Sequence, residues 1–213
     1  MNKDRKVSMA VIRRLPKYHR YLGELLEKDV TRISSYELSK LTGFTASQIR
    51  QDFNNFGGFG QQGYGYNVED LYNQLGNILG LGKKYNTIII GAGNLGQAIA
   101  NYKSFDDKGF RMLALFEKNP KLVGLTIRDI DILDIDSIES FSKENKIDIA
   151  VITTPKSQAQ DVVNRVVNCG VKAIWNFAPI DLKVPEDVVV ENVQLSESLL
   201  TIAFLLKEKE ENV

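Results

Sequence analysis

The chain of 213 residues contains one cysteine, one histidine and one tryptophan. A lone Cys169 forms no internal disulfide. With His19 the only imidazole, soft and imidazole ligands are too few for a zinc site, so no metal is expected. No run of about 18 apolar residues occurs, and no membrane-spanning helix is expected. The first fifteen residues are basic but lack the apolar stretch and small-residue cleavage site of a secretory leader. The expectation is a cytoplasmic, metal-free protein. Net charge is missing too, since 27 Lys and Arg balance 27 Asp and Glu. Hydrophobic residues at 43% and charged residues at 25% are ordinary for a folded domain and exclude wholesale disorder.

The zero net charge conceals a split. Residues 1–84 carry 13 basic and 8 acidic side chains, and residues 85–213 carry 14 and 19. Residues 1–22 alone hold 7 basic side chains against 1 acidic. A basic front and an acidic remainder suggest two modules with different partners, although chance also produces such splits, and local patterns must decide.

In the front module, assigned to residues 1–80, Ser8 can cap a short helix and Pro16 suits the first turn of the next. Leu15, Tyr18, Leu22, Leu25 and Leu26 form one apolar stripe. After a short extended piece, Ser34-Ser35-Tyr36-Glu37 reads as a capping box. Gly43 makes a turn, and Thr45-Ala46-Ser47-Gln48 reads as a second box. Helix, short glycine-containing turn and helix is the helix-turn-helix pattern. In the second helix Ile49, Phe53 and Phe56 make the buried stripe, while Ser47, Gln48, Arg50, Gln51 and Asn54 fall elsewhere. Arg pairs bidentately with guanine, and Gln or Asn with adenine, so these residues are candidate DNA readers, Arg50 among them. A solvated polar face is the plain alternative. The segment 56–66 then alternates glycine with aromatic and amide residues, as a wing hairpin tip would, and Gly63 and Tyr64 are candidate DNA contacts. A flexible linker is the competing reading, although aromatics are unusual there.

Residues 85–193 read as a Rossmann α/β domain. Ile88-Ile89-Ile90 suits a buried parallel strand. It runs directly into Gly91-Ala92-Gly93-Asn94-Leu95-Gly96 and a helical segment. That sequence alone is a weak signal, but between a buried strand and a helix it marks a dinucleotide phosphate loop. Glu117, 26 residues after Gly91, ends a second strand and is placed to accept from a ribose 2′-OH. It would repel a 2′-phosphate, which favours NADH and NAD+ over their phosphorylated forms, with Lys118 weakening the preference slightly. Two later strands end at Thr154-Pro155 and at Asn176, making these candidates for ribose or nicotinamide contacts.

Residues 194–213 form a third piece. Leu195, Leu199, Leu200, Ile202, Ala203, Phe204, Leu205 and Leu206 surround nearly the whole circumference of a helix. Such a helix must be buried on more than one face. A homodimer in which it docks on the partner is favoured over a monomer that buries it centrally. A two-fold protein also matches a palindromic operator.

In this order, residues 44–52, 63–66, 91–96, 176–179 and 190–193 resemble the Rex redox-sensing transcriptional repressors over essentially the whole chain. The resemblance implies a homodimer with winged-helix and Rossmann domains and an exchanged C-terminal helix. It further implies repression that is relieved when NADH binds. It places Tyr102 near the nicotinamide, and Arg14 as a link between the DNA-binding domain and the partner's helix. Gln194 and Leu195 depart from members with an acid and a phenylalanine there, so a direct Arg14–carboxylate pair at that point does not carry over. Two other readings stay open on the residues alone: an NAD-dependent dehydrogenase, and a CoA- or nucleotide-binding subunit. The dehydrogenase lacks a histidine in the cofactor module and an arginine cluster to clamp substrate.

Overall fold

Among the described residues, side-chain caps open four of the five helices of the basic half. Ser8 accepts from the Val11 N–H ahead of α1 (Met9–Ile12), and α2 (Leu15–Leu26) follows with Pro16 in its first turn. Strand β1 (Arg32–Ile33) leads to α3 (Ser35–Thr42). Here Ser34 accepts from Glu37 N–H while the Glu37 carboxylate accepts from Ser34 N–H, so the box is complete. At α4 (Ala46–Asn54) only half of the expected box forms: Thr45 accepts from Gln48 N–H at 3.1 Å. A neutral amide is a weaker acceptor than the Glu37 carboxylate. Strand β2 (Tyr66–Asn67) precedes α5 (Val68–Leu79), which Asn67 caps.

The structure is a computed structural model that describes residues 7–59 and 64–211. It divides into two units, Met1–Lys83 and Lys84–Val213. In the first, α2, α3, α4 and α5 close on a core that includes Tyr18, Leu22, Leu38, Ile49, Phe53 and Leu71. Residues 60–63 of the expected wing tip lie outside the described residues. Among the described residues β2 pairs antiparallel with β1, Ile33 opposite Tyr66. Gly65 permits the approach: its φ is +71°, and a Cβ there would lie 2.7 Å from the Ile33 carbonyl. Gly63 lies outside the described residues.

The core of the first unit contains a charge. Asp52, on α4, is 1% exposed. Arg14 donates to it from Nε and Nη2, both at 2.7 Å, and Tyr18 donates its hydroxyl at 2.7 Å. Burial, and then the hydrogen bond to Asp52, holds the Tyr18 phenol well above its ordinary range. Arg14, which the resemblance links to the partner's helix, is in this chain paired with Asp52. A carboxylate buried on α4 needs a cation, and the Arg14 fork is closed on it.

The second unit is a seven-stranded sheet in the order β5-β6-β4-β3-β7-β8-β9. In chain order its elements are β3 (Tyr85–Ile90), α6 (Asn94–Asn101), α7 (Ser104–Asp107), β4 (Phe110–Glu117), β5 (Thr126–Ile127), β6 (Ile130–Asp134), α8 (Ile138–Glu144), β7 (Ile149–Ile152), α9 (Lys156–Asn168), β8 (Ala173–Asn176), β9 (Val189–Asn192) and α10 (Leu195–Glu211). All neighbours run parallel except β5, which turns back on β6 through Arg128 and Asp129 at positive φ. From β6 to β9 the order is that of the doubly wound dinucleotide fold, with its switch point between β3 and β7. Helices α6 and α7 pack on one face, α8 and α9 on the other. Ile88, Ile89 and Ile90 are buried by both layers, each contributing about 1.5–3 kcal/mol.

Helix α10 runs to Glu211, so the charged tail from Lys207 continues it rather than ending it. None of its residues is buried in this chain. Among the described residues no helix is long and apolar enough to cross a membrane, and no group of His, Cys, Asp and Glu could hold a metal. Arg14→Ala would leave Asp52 buried without its cation and should destabilise the first unit by about 3–5 kcal/mol. Urea unfolding monitored by circular dichroism measures that loss, and an unchanged midpoint would remove the pair from the stability of this unit.

Candidate functional site

The carboxyl end of β3 and the start of α6 are held together by glycine. Gly91 takes φ +103°, and a Cβ on it would meet the Thr153 carbonyl at 3.0 Å. A Cβ on Gly96 would fall 1.9 Å from the Gly91 carbonyl, so only glycine lets this helix approach this strand. Gly93 differs from both: nothing lies within 4 Å of its would-be Cβ. It precedes α6 as an exposed N-cap without a side-chain cap. The first N–H groups of α6 therefore keep no side-chain acceptor beside open space. Asn94 is exposed at the helix start, and Leu95 turns into the core, which leaves it a backbone role.

Glu117, at the end of β4, ties this loop to the next. Its Oε2 accepts from Ala92 N–H at 2.7 Å, and Oε1 accepts from Lys118 and Asn119 N–H at 2.8 and 2.9 Å. Two residues unmarked by the sequence pattern fix the same corner. Gln97 donates to the Ala92 carbonyl at 2.7 Å, and the Thr153 hydroxyl reaches the carbonyls of Ile90 and Gly91. They carry no motif because each acts through a tertiary contact. A groove of about 980 Å³ opens here, lined by Gly91, Gly93, Glu117, Lys118, Thr154 and Pro155 among others. The Thr154 hydroxyl is buried without a hydrogen-bond partner among the described residues. Ile135 and Val162 supply apolar wall, and Arg165 stands at the rim with its guanidinium held by Glu139 at 2.9 Å.

Two expected members of this site lie elsewhere. Asn176 is 1% exposed, and its amide is consumed locally. Nδ2 donates to Asn192 Oδ1 and the Ile180 carbonyl, and Oδ1 accepts from Ala178 N–H. It shapes the loop after β8 instead of facing a ligand. Tyr102 follows the last turn of α6, about 12 Å along the axis from the glycine loop, and packs on Phe105. It is 58% exposed and is not part of the groove of its own chain.

On α4 the inner face is Ile49, Asp52 and Phe53. Ser47, Gln51 and Asn54 stand opposite and exposed; Arg50 is exposed on one flank, and Gln48 is half-buried on the other. Thr45 is used as the cap. Tyr64 is exposed on the wing, and Arg32, which no motif singled out, donates to its carbonyl at 3.2 Å.

A winged helix-turn-helix unit and a dinucleotide-type Rossmann unit in one chain define a DNA-binding regulator with a nucleotide-sensing domain. The chain is 65% identical over 210 residues to a redox-sensing transcriptional repressor Rex of Thermoanaerobacter pseudethanolicus, covering 99% of this chain and 94% of that one. It is 66% identical to that of Clostridium novyi, with 97% and 98% covered. It belongs to the Rex family of redox-sensing transcriptional repressors. Residues 6–54 match the family described as putative DNA-binding protein N-terminus, and residues 82–180 match the CoA binding domain family. Among solved structures, RSP in complex with β-NAD+ and operator DNA is 64% identical with a TM-score of 0.91, covering 97% of this chain and 95% of that one. RSP in complex with β-NADH is 61% identical with a TM-score of 0.90, covering 97% of each.

The glycines separate structural from binding roles. Gly96→Ala forces a methyl into the Gly91 carbonyl and should cost about 1–3 kcal/mol, whereas Gly93→Ala should leave the melting temperature nearly unchanged. Scanning calorimetry of the two variants checks this, and equal melting temperatures would refute the assignment.

Proposed function

We propose that this chain is a cytoplasmic repressor that binds a palindromic operator as a homodimer and releases it when NADH occupies its groove. Steady dehydrogenase turnover is not part of this reading, since its close relatives are named as repressors. The observation that carries the proposal is the fit of the groove to a dinucleotide. Gly93 leaves open space before the uncapped start of α6, where a pyrophosphate would be received. Glu117 is preset by three backbone N–H groups beside that space, and its carboxylate retains lone pairs for ribose hydroxyls. Thr154 offers an unpartnered hydroxyl. Gly91, Lys118 and Pro155 line the wall, and the backbone of Asn94, Leu95 and Gly96 at the start of α6 is proposed to receive the phosphates, with Ala92 holding Glu117 in place. Asn176 and Tyr102 do not join this set.

The proposed DNA face is Ser47, Gln48, Gln51 and Asn54 of α4 with Arg50 on its flank, supported by Tyr64 on the wing. The proposed dimer rests on α10. Leu199 and Leu200 are 67% and 69% exposed, and Leu195, Ile202, Phe204, Leu205 and Leu206 are exposed with them. A single chain that presents so much apolar surface calls for a partner. Exchange of this helix between two copies would bury it and would set the spacing of the two α4 helices.

NADH supplies a neutral nicotinamide ring where NAD+ supplies a cationic one, and an enclosed apolar site prefers the neutral ring. By linkage, operator must weaken NADH binding by the same factor by which NADH weakens operator binding. Titration of a labelled operator duplex with NADH and with NAD+ is the direct test. NADH should release the duplex at concentrations where NAD+ does not. Release that ignores the oxidation state would end the reading. Gly93→Val should fold, bind operator and no longer respond to NADH, and a variant still released by NADH would move the coenzyme away from this loop.

A further inference from the structure

The Arg50 side chain stands at one edge of the polar face of α4, as Gln48 stands at the other. At roughly 100° per residue, Ser47, Gln51 and Asn54 cluster opposite the buried stripe of Ile49, Asp52 and Phe53, while Arg50 sits about 65° away from the middle of that cluster. Its Nη1 donates to Ser35 Oγ in the first turn of α3 at 2.8 Å. Its charge also acts on Tyr66 at the base of the wing, against the upward push of burial on that phenol. Beside Ser35, Tyr36 is exposed and carries the Lys40 ammonium 4.4 Å from its ring centre. The acid of this turn, Glu37, is turned onto Ser34 N–H and Oγ.

We propose that Arg50 is a backbone-phosphate contact rather than a base reader, and that with Ser35 it seats one phosphate of the operator strand. Arg50 spends one N–H on Ser35 and has four left, and Ser35, an acceptor in that bond, keeps its own proton to donate. A guanidinium anchored to a hydroxyl at the edge of the helix is placed to meet a phosphate of the strand, since Arg and Ser are both common phosphate donors. The consequence is a division of labour. Sequence is read by the neutral side chains at the centre of α4, and Arg50 fixes the register of the helix against the strand. This inference rests on the operator-binding reading and refines the place of one residue within it.

The full-length protein is used to enrich a duplex from a random-sequence pool, and that duplex and a shuffled one of equal length are then titrated by fluorescence anisotropy over a salt series. Arg50→Ala should weaken both duplexes by the same factor and reduce the log–log salt slope by about 0.9. Arg50→Lys should restore the slope. Ser35→Ala should weaken both duplexes equally with the slope retained. Loss confined to the enriched duplex with an unchanged slope would make Arg50 a base reader and overturn the proposal, as would no loss on either duplex. A wild-type protein that enriches no duplex overturns the repressor reading itself. That outcome is distinct from a wild type that binds while Arg50→Ala alters only base choice.

Discussion

The approach of α6 to β3 governs the Rossmann unit. A methyl on Gly96 would sit 1.9 Å from the Gly91 carbonyl, and that single close contact decides where the helix begins. Because the helix begins there, its uncapped N–H groups face the open side of Gly93, and Ala92 N–H falls onto Glu117. Gln97 and Thr153 then fasten the loop from the helix and from β7. The groove is thus assembled from strand ends that the sheet order brings together at its switch point.

The basic unit depends on a polar counterpart of that contact. Asp52 enters the core on the inner face of the helix whose outer face is proposed to meet DNA. Its Oδ1 accepts from Arg14, and its Oδ2 from Arg14 and Tyr18, both from the α2 region. Removing any one of the three leaves a buried polar group without its partner, so the set holds α4 in one rotation about its axis. Rotation matters here because the angular positions of Ser47, Gln51 and Arg50 give them different tasks.

Much of this was legible in sequence, and the remainder failed for identifiable reasons. Local rules worked where the cause was local: the isoleucine run of β3, the glycine loop, the caps at Ser8 and Ser34, and the acid that ends β4. They failed where partners are distant in the chain. Arg14 and Asp52 are 38 residues apart, and nothing near either one announces the other. Asn176 stands at a strand end, where ligands are commonly met, yet its amide is absorbed by the loop that follows. Tyr102 is next to α6 in sequence but at the wrong end of it for its own groove. The turn between β5 and β6 uses Arg128 and Asp129 at positive φ, a conformation for which glycine or asparagine is the usual signal.

Helix α10 shows where a single chain ceases to be a sufficient description. Its apolar residues surround the axis, so no rotation of the helix against one surface could bury them all. Each large side chain left in water forgoes about 1.5–3 kcal/mol on burial, and several are present. That free energy is released only on association, so in the proposed dimer it becomes part of the stability of the assembly and varies with protomer concentration.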